Sequence, residues 1–230
     1  RFECFSPTSE NPSYSNTINY HNVHDIMIDG NLLWVATYSH GINVLNLKTK
    51  EWKYYMRGDQ EGMLNNNDIF ALFKDSAGRI WIGTSTGAFL FDRQTGKFLL
   101  QEQIGLHFIS DIIEDSSGQI WFSTSDVGVY CFNPRTKECK LYPHDPADPR
   151  SICYHKIICM FVDSKKRIWF ASESRGICRF DDKTQQFVRY GMKDGFTNDV
   201  IYKILEDNEG NLWLSSNSGL MQFNPETGMV

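Results

Sequence analysis

One hexapeptide, written five times, constrains this chain more than anything else in it. The copies are LLWVAT (Leu32–Thr37), RIWIGT (Arg79–Thr84), QIWFST (Gln119–Thr124), RIWFAS (Arg167–Ser172) and NLWLSS (Asn211–Ser216). Their tryptophans, Trp34, Trp81, Trp121, Trp169 and Trp213, lie 47, 40, 48 and 44 residues apart. A period in the forties with several short strands per repeat is the sequence signature of a β-propeller blade. The residue after each Trp is apolar (Val35, Ile82, Phe122, Phe170, Leu214), and the next is small (Ala36, Gly83, Ser123, Ala171, Ser215). Side chains alternate faces along a strand, so Trp and the small residue share one face and the apolar residue takes the other. A strand apolar on both faces must be covered on both. Blades packed face to face provide that cover, and the small residue leaves room beside the indole. The Trp strand therefore reads as scaffold. A hydroxyl residue closes every copy: Thr37, Thr84, Thr124, Ser172 and Ser216.

Around that strand each repeat follows one order. An apolar inner strand, such as Ile69–Lys74 or Ile201–Glu206, precedes a turn that opens with Asp75, Asp115, Asp163 or Asp207. Asp opens such turns by accepting backbone N–H groups, and Gly near the end tolerates positive φ. The first copy has a tighter Asp29-Gly30-Asn31 turn, and the fourth places Lys166 where the others have Gly, which predicts slight strain. After the Trp strand comes a short loop ending in Gly41, Gly87, Gly128, Gly176 or Gly219, then a third strand, a hairpin and an outer strand. The expected fold is all-β, a β-propeller of four-stranded antiparallel blades with about five blades in one domain, residues 1–230. Repeats are expected at about 23–55, 67–100, 109–142, 156–190 and 199–230. Residues 1–5 read as an outer strand able to complete the last blade and close a ring, and Ser6–Asn22 read as a loop. A larger ring with further blades is the alternative. The chain starts at Arg1, and both ends read as cut from something longer.

Composition narrows the function. At 41% apolar and 14% aromatic the chain of 230 residues can fill a core. Its net charge of −5 is scattered, with no basic stripe, so nucleic acid is not expected as a partner. No run approaches the roughly 18 apolar residues of a spanning helix, so no membrane contact by this chain is expected. The six cysteines form no CxxC pair and read as small buried hydrophobes. Cys131 and Cys139 flank one hairpin, but the repeat alignment pairs Phe132 with Cys139 and turns Cys131 to the opposite face. His21 and His24 lack metal-ligand spacing, and no G-x-S-x-G elbow or phosphate loop is present. No catalytic residue, metal or cofactor is expected.

The string DSAGRIWIGTSTGAFLFDRQTGKF (Asp75–Phe98), with its siblings, resembles the two-component regulator propeller repeat over nearly the whole chain. Asn65-Asn66-Asn67-Asp68 sits where that family has a Ser-Leu-Ser-Asn-Asn stretch, and DPRSI (Asp148–Ile152) matches it partially. The resemblance implies the periplasmic sensor region of a hybrid two-component histidine kinase of Bacteroides type. It implies carbohydrate sensing, specifically of oligosaccharides or polysaccharide breakdown products, with the kinase and its membrane anchor outside this chain. It further implies a non-catalytic chain and a homodimer through the sensor region. The D-x-x-G-x-x-W-F pattern also resembles streptogramin B lyases, which are metal-assisted elimination enzymes. No catalytic His and Glu pair maps onto matching positions here. A third reading is a protein-interaction propeller without a small ligand.

Binding is expected where loops converge. The loops after the Trp strands share a face with the outer-to-inner connections and vary in length, with Gly six or seven residues after Trp. Candidate ligand-binding residues are Tyr38 for stacking, with His40, Arg57, Asp126, His155, Glu173 and Arg175 for hydrogen bonds. A sugar site needs this mixture of flat aromatic surface and polar tips.

Overall fold

The computed structural model describes residues 4–6 and 17–230, which form nineteen strands in five antiparallel sheets. The first sheet holds β1 (Val23–Asp29), β2 (Leu32–Thr37), β3 (Ile42–Asn46) and β4 (Trp52–Tyr55). The second holds β5 (Ile69–Lys74), β6 (Ile80–Thr84), β7 (Gly87–Asp92) and β8 (Lys97–Leu100). The third is β9 (Ile109–Glu114), β10 (Ile120–Thr124), β11 (Gly128–Phe132) and β12 (Cys139–Pro143). The fourth is β13 (Ile157–Val162), β14 (Ile168–Ser172), β15 (Ile177–Asp181) and β16 (Gln186–Tyr190). The last has three strands, β17 (Ile201–Glu206), β18 (Leu212–Ser216) and β19 (Gly219–Phe223). In every sheet the strands neighbour one another in chain order. This is the all-β, blade-by-blade organisation of a β-propeller.

The chain divides into two compact units, Arg1–Ile109 and Ser110–Val230. The first contains blades one and two, the second blades three to five, with β9 starting at the boundary. Of the expected outer strand at 1–5, residues 1–3 lie outside the described residues, as do 7–16 of the expected loop. Cys4 and Phe5 belong to no strand, and the Phe5 ring packs edge-on against Trp52 of β4 with centroids 5.8 Å apart.

The core lies between blades. In the first unit Trp34, Leu72, Ile82 and Phe89 pack in one cluster. In the second unit one cluster joins Trp121 to Phe170 and Phe180, and another joins Trp169 to Leu214 and Phe223. Each of these indoles therefore meets aromatic rings of the next blade: Trp34 on Phe91, Trp121 on Phe180 and Trp169 on Phe223. The small residue has its expected role. A Cβ on Gly83 would sit 2.8 Å from Ile109 Cγ2. Trp213, in a sheet followed by no other among the described residues, is 39% exposed, whereas the other four indoles are at most 2% exposed.

The turn Asp does more than close its turn. In four blades one carboxylate oxygen accepts the backbone N–H four residues on, and the other accepts the indole N–H six residues on. The indole bonds are 2.8 Å from Trp81 to Asp75, 2.8 Å from Trp121 to Asp115, 2.9 Å from Trp169 to Asp163 and 2.9 Å from Trp213 to Asp207. Arg79 and Arg167 add ion pairs to Asp75 and Asp163. Blade one breaks the pattern. Its turn is one residue shorter, and Asp29 instead meets Lys74 at 2.9 Å and Arg93 at 2.6 Å, both in blade two. The Arg93 guanidinium holds the Asp29 carboxyl below the usual range. The indole N–H of Trp34 is left buried without an acceptor. In the fourth turn Lys166 takes the left-handed conformation at φ 67°, close to the 80–83° of Gly78, Gly118 and Gly210; this is the expected site of slight strain.

Two outcomes follow for stability. Asp75→Ala removes a buried carboxylate and strands the Trp81 indole and the Arg79 guanidinium. It is expected to cost about 3 kcal/mol in urea unfolding, and Asp29→Ala, on partly exposed pairs, clearly less. Asp207 is held at about 2, since hydrogen bonds from Asn211 N, the Trp213 indole and Glu209 N outweigh a larger single contribution from desolvation. A carboxyl depressed on folding stabilises the fold fully above its unfolded value of 3.8 and loses that contribution as pH falls through about 2. Acid titration of stability, followed by tryptophan fluorescence, should therefore be shallower over this window in Asp207→Asn than in the unmodified chain.

Candidate functional site

The loop-bearing end of each blade is held by side chains that the repeat supplies. The hydroxyl closing each Trp strand donates to the carbonyl of the loop glycine: Thr37 to Gly41 and Thr124 to Gly128 at 2.9 Å, Ser172 to Gly176 at 2.9 Å, Thr84 to Gly87 and Ser216 to Gly219 at 3.0 Å. Those glycines have φ between 67° and 127°. A Cβ at Gly41 or Gly176 would also collide with the carbonyl oxygen of Tyr55 or Tyr190. The loops are then pinned to the connections between blades. Gly41 N bonds Asn67 O and Ser39 N bonds Asp68 Oδ1, while Gly176 N bonds Asp199 O and Glu173 N bonds Lys156 O. Post-Trp loops and inter-blade connections thus share one end of the blades within each unit.

In the first unit this brings little together among the candidates. Tyr38 is exposed, with its ring near His24 and Phe70. His40 stacks flat on Tyr20, with centroids 4.3 Å apart, and its Nδ1 lies 3.1 Å from Ser39 Oγ. Arg57 is exposed on the 56–67 connection, its backbone N–H bonded to Asn67 Oδ1. In the second unit Asp126 is exposed, the His155 ring lies 3.9 Å from that of Tyr154, and Glu173 is paired with Lys156 at 2.5 Å. Arg175 alone of these four stands on the wall of the cavity described next.

That cavity, of about 400 Å3, lies in the second unit. Arg175 from the post-Trp loop, His144 and Cys153 from the 143–156 connection, and Lys193 and Asp199 from the 191–200 connection line it, with Arg189 of β16 behind. Arg189 is a latch. Its Nη2 donates to Asp148 O at 2.9 Å, Ser151 Oγ at 2.7 Å and Ile152 O at 3.0 Å, and its Nε donates to Ser151 O at 3.0 Å. All four partners are neutral. The cavity therefore carries the cations Arg175, Arg189 and Lys193 against the single carboxylate of Asp199, in a protein that is acidic as a whole. His144 Nδ1 lies 2.8 Å from Ile152 O, which fixes Nδ1 as the donor and leaves Nε2 to accept in the neutral ring. Cys153 N donates to Cys178 Sγ at 3.4 Å, and burial, with the neighbouring Cys153, pushes the Cys178 thiol well above its ordinary value.

Sequence reading missed Arg189, Lys193 and Asp199. Arg189 sits on an outer strand, where an alternating charged residue reads as solvated surface. The short 191–200 connection carries no proline, and its one aromatic, Phe196, is buried in the core. The cysteine reading holds in part: the register pairs Phe132 with Cys139 and Cys131 with Lys140, and Cys131, Cys153, Cys159 and Cys178 are buried free thiols, with Cys131 and Cys159 raised by burial to about 12. Cys4, however, is exposed and Cys139 only half-buried. Among the described residues no three His, Cys, Asp or Glu side chains are grouped to hold a metal. No helix there is long and apolar enough to cross a membrane.

Blades of this construction define a β-propeller, and comparison with known proteins agrees. The family model of the two-component regulator propeller matches residues 63–86, 104–126 and 195–218, three segments within the repeats. No curated protein matches the chain significantly. The extracellular domain of a putative hybrid two-component system from B. thetaiotaomicron superposes with a TM-score of 0.73 at 19% identity, covering 91% of this chain and 28% of that one. A second such domain from that organism gives a TM-score of 0.52 at 20% identity, covering 96% and 36%. Virginiamycin B lyase from Staphylococcus aureus gives 0.62 at 15% identity, covering 88% and 70%. At these identities the likeness is one of fold. The chain spans about 28% of the length of the first of these structures.

The latch can be tested directly. Arg189→Met keeps the stem and removes four hydrogen bonds from a charged donor. It is expected to lower stability by about 3 kcal/mol and to open the 143–152 segment to limited proteolysis well before the rest of the chain.

Proposed function

We propose that this chain forms part of the extracytoplasmic, periplasmic sensor region of a hybrid two-component signalling protein, and that it binds oligosaccharides released from polysaccharides rather than transforming them. The observation that carries the reading is the repeat itself, matched three times by a family defined on two-component regulators. The solved domains it resembles in fold are described as extracellular parts of hybrid two-component systems, which supports the same compartment. The cavity holding Arg175 and Lys193 supports a binding role, since neither side chain has an acceptor among the described residues and both are exposed to a ligand's hydroxyl or carboxyl oxygens. A signal could pass to the linked kinase through a homodimer of the sensor region.

The test is a glycan array probed with the full sensor region, followed by calorimetry on any hit. Saturable binding that weakens about tenfold in Arg175→Ala, with an unchanged melting temperature, is the expected result. Absence of binding across neutral and acidic oligosaccharides alike would overturn the reading, as would catalytic turnover of a bound compound.

A further inference from the structure

The repeat gives this molecule an internal control, because two of its inter-blade clefts are built from equivalent positions. Between blades three and four the cleft is lined by Trp121, Tyr142, Lys140 and Gln185. Between blades one and two the same positions are Trp34, Tyr55, Lys53 and Gly96. The registers make the equivalence explicit: Trp34 pairs with Val44 and Val44 with Lys53, as Trp121 pairs with Cys131 and Cys131 with Lys140. The two hairpin residues also match, since Gly96 N bonds Asp92 O and Gln185 N bonds Asp181 O, each at 2.8 Å.

In the second unit this cleft is closed by hydrogen bonds. Tyr142 donates to Gln185 Oε1 at 2.6 Å, Lys140 Nζ reaches the same oxygen at 3.3 Å, and the Trp121 indole is held by Asp115. In the first unit none of those bonds exists. Gly96 has no side chain to meet Tyr55, Asp29 has turned to Lys74 and Arg93, and the Trp34 indole N–H is buried without an acceptor. The space is correspondingly larger, about 700 Å3 against about 400 Å3.

We infer that the cleft between blades one and two is a binding subsite for a neutral pyranose unit. Its lining is what such a ring requires. Tyr55, with the buried Trp34 stacked behind it at 8°, forms an aromatic wall that Trp52 and Phe91 extend. Flat aromatic surfaces take the C–H face of a sugar, and a few polar groups fix its hydroxyls. Lys53 and Glu51 supply those groups with opposite charges, and Arg93 is neutralised by Asp29, so the rim favours no net charge on the ligand. The volume falls within the usual range of small-ligand sites, roughly 300–1,000 Å3. The inference shares with the sensor reading only the class of ligand, and its site is separate from the Arg175 cavity.

The decisive variant is Gly96→Gln, which installs the plug that the second unit already carries. It should fold, because Gly96 at φ 71° has open space around a Cβ and Gln185 adopts φ 57° at the equivalent position. The chain is titrated with neutral gluco-, manno-, galacto- and xylo-trisaccharides while the indole N–H resonances are followed by NMR. The expected result is a shift of the Trp34 resonance with at least one sugar, lost or weakened about tenfold in Gly96→Gln and in Trp52→Ala, and retained in Arg175→Ala. No Trp34 shift with any of the four sugars, or equal binding by a folded Gly96→Gln chain, overturns the inference. Binding abolished by Arg175→Ala and indifferent to Gly96→Gln would leave the sensor reading standing and this one refuted.

Discussion

A single carboxylate with two tasks underlies the blades. The Asp that opens the inner turn closes the backbone with one oxygen and holds the indole of the neighbouring strand with the other. For Asp75 and Asp163 this takes place in the blade interior, where both side chains are fully buried. A charge there is tolerable only because its lone pairs are filled by backbone, indole and guanidinium donors. The bond fixes the rotation of the largest core side chain, and that orientation decides what the next blade packs against. Turn, strand and inter-blade core are thereby set by one residue, and its spacing of six from the Trp is the constraint.

Blade one shows what the constraint is worth. Shortening its turn by one residue frees Asp29 to reach Lys74 and Arg93 of blade two, so a bond within a blade is exchanged for ion pairs between blades. A comparable link is made elsewhere by Asp25, which accepts from Leu72 N, and by Asp111, which accepts from Met160 N. The exchange leaves Trp34 unsatisfied and the cleft beneath it open. In the closed cleft of the second unit one glutamine makes the difference. Repeats that share a backbone can thus carry a hydrogen-bonded, closed cleft at one interface and an open one at another, through changes at a turn and a hairpin tip.

At the other end of the blades the division of labour is similar. The hydroxyl and the glycine of each repeat fix where the loops leave the sheet, and those positions vary little. Between them the connections are free to differ, since surface loops tolerate changes in length that strands do not. In the second unit three cations gather around one cavity, with Arg189 donating to three carbonyls and a hydroxyl. Those cations come from three separate segments: the post-Trp loop, strand β16 and the connection that follows it.

The sequence by itself determined the blades. Inner, Trp, third and outer strands were legible because each repeat carries two-residue periodicity, an Asp turn and a loop glycine, and five copies average out local ambiguity. It also gave the direction of Cys131, since register within a hairpin follows from the turn. The candidate loops were legible as loops, but of the second unit's four candidates only Arg175 lines the cavity, because a loop's place along the chain says nothing about where its tip points. Arg189, Lys193 and Asp199 come from an outer strand and a short connection, and no sequence pattern relates them. Nor did the sequence reveal that the invariant Asp and Trp are bonded to each other, or that Trp34 lacks that bond. Those facts depend on which atoms face one another across a blade, and only packing in three dimensions decides that.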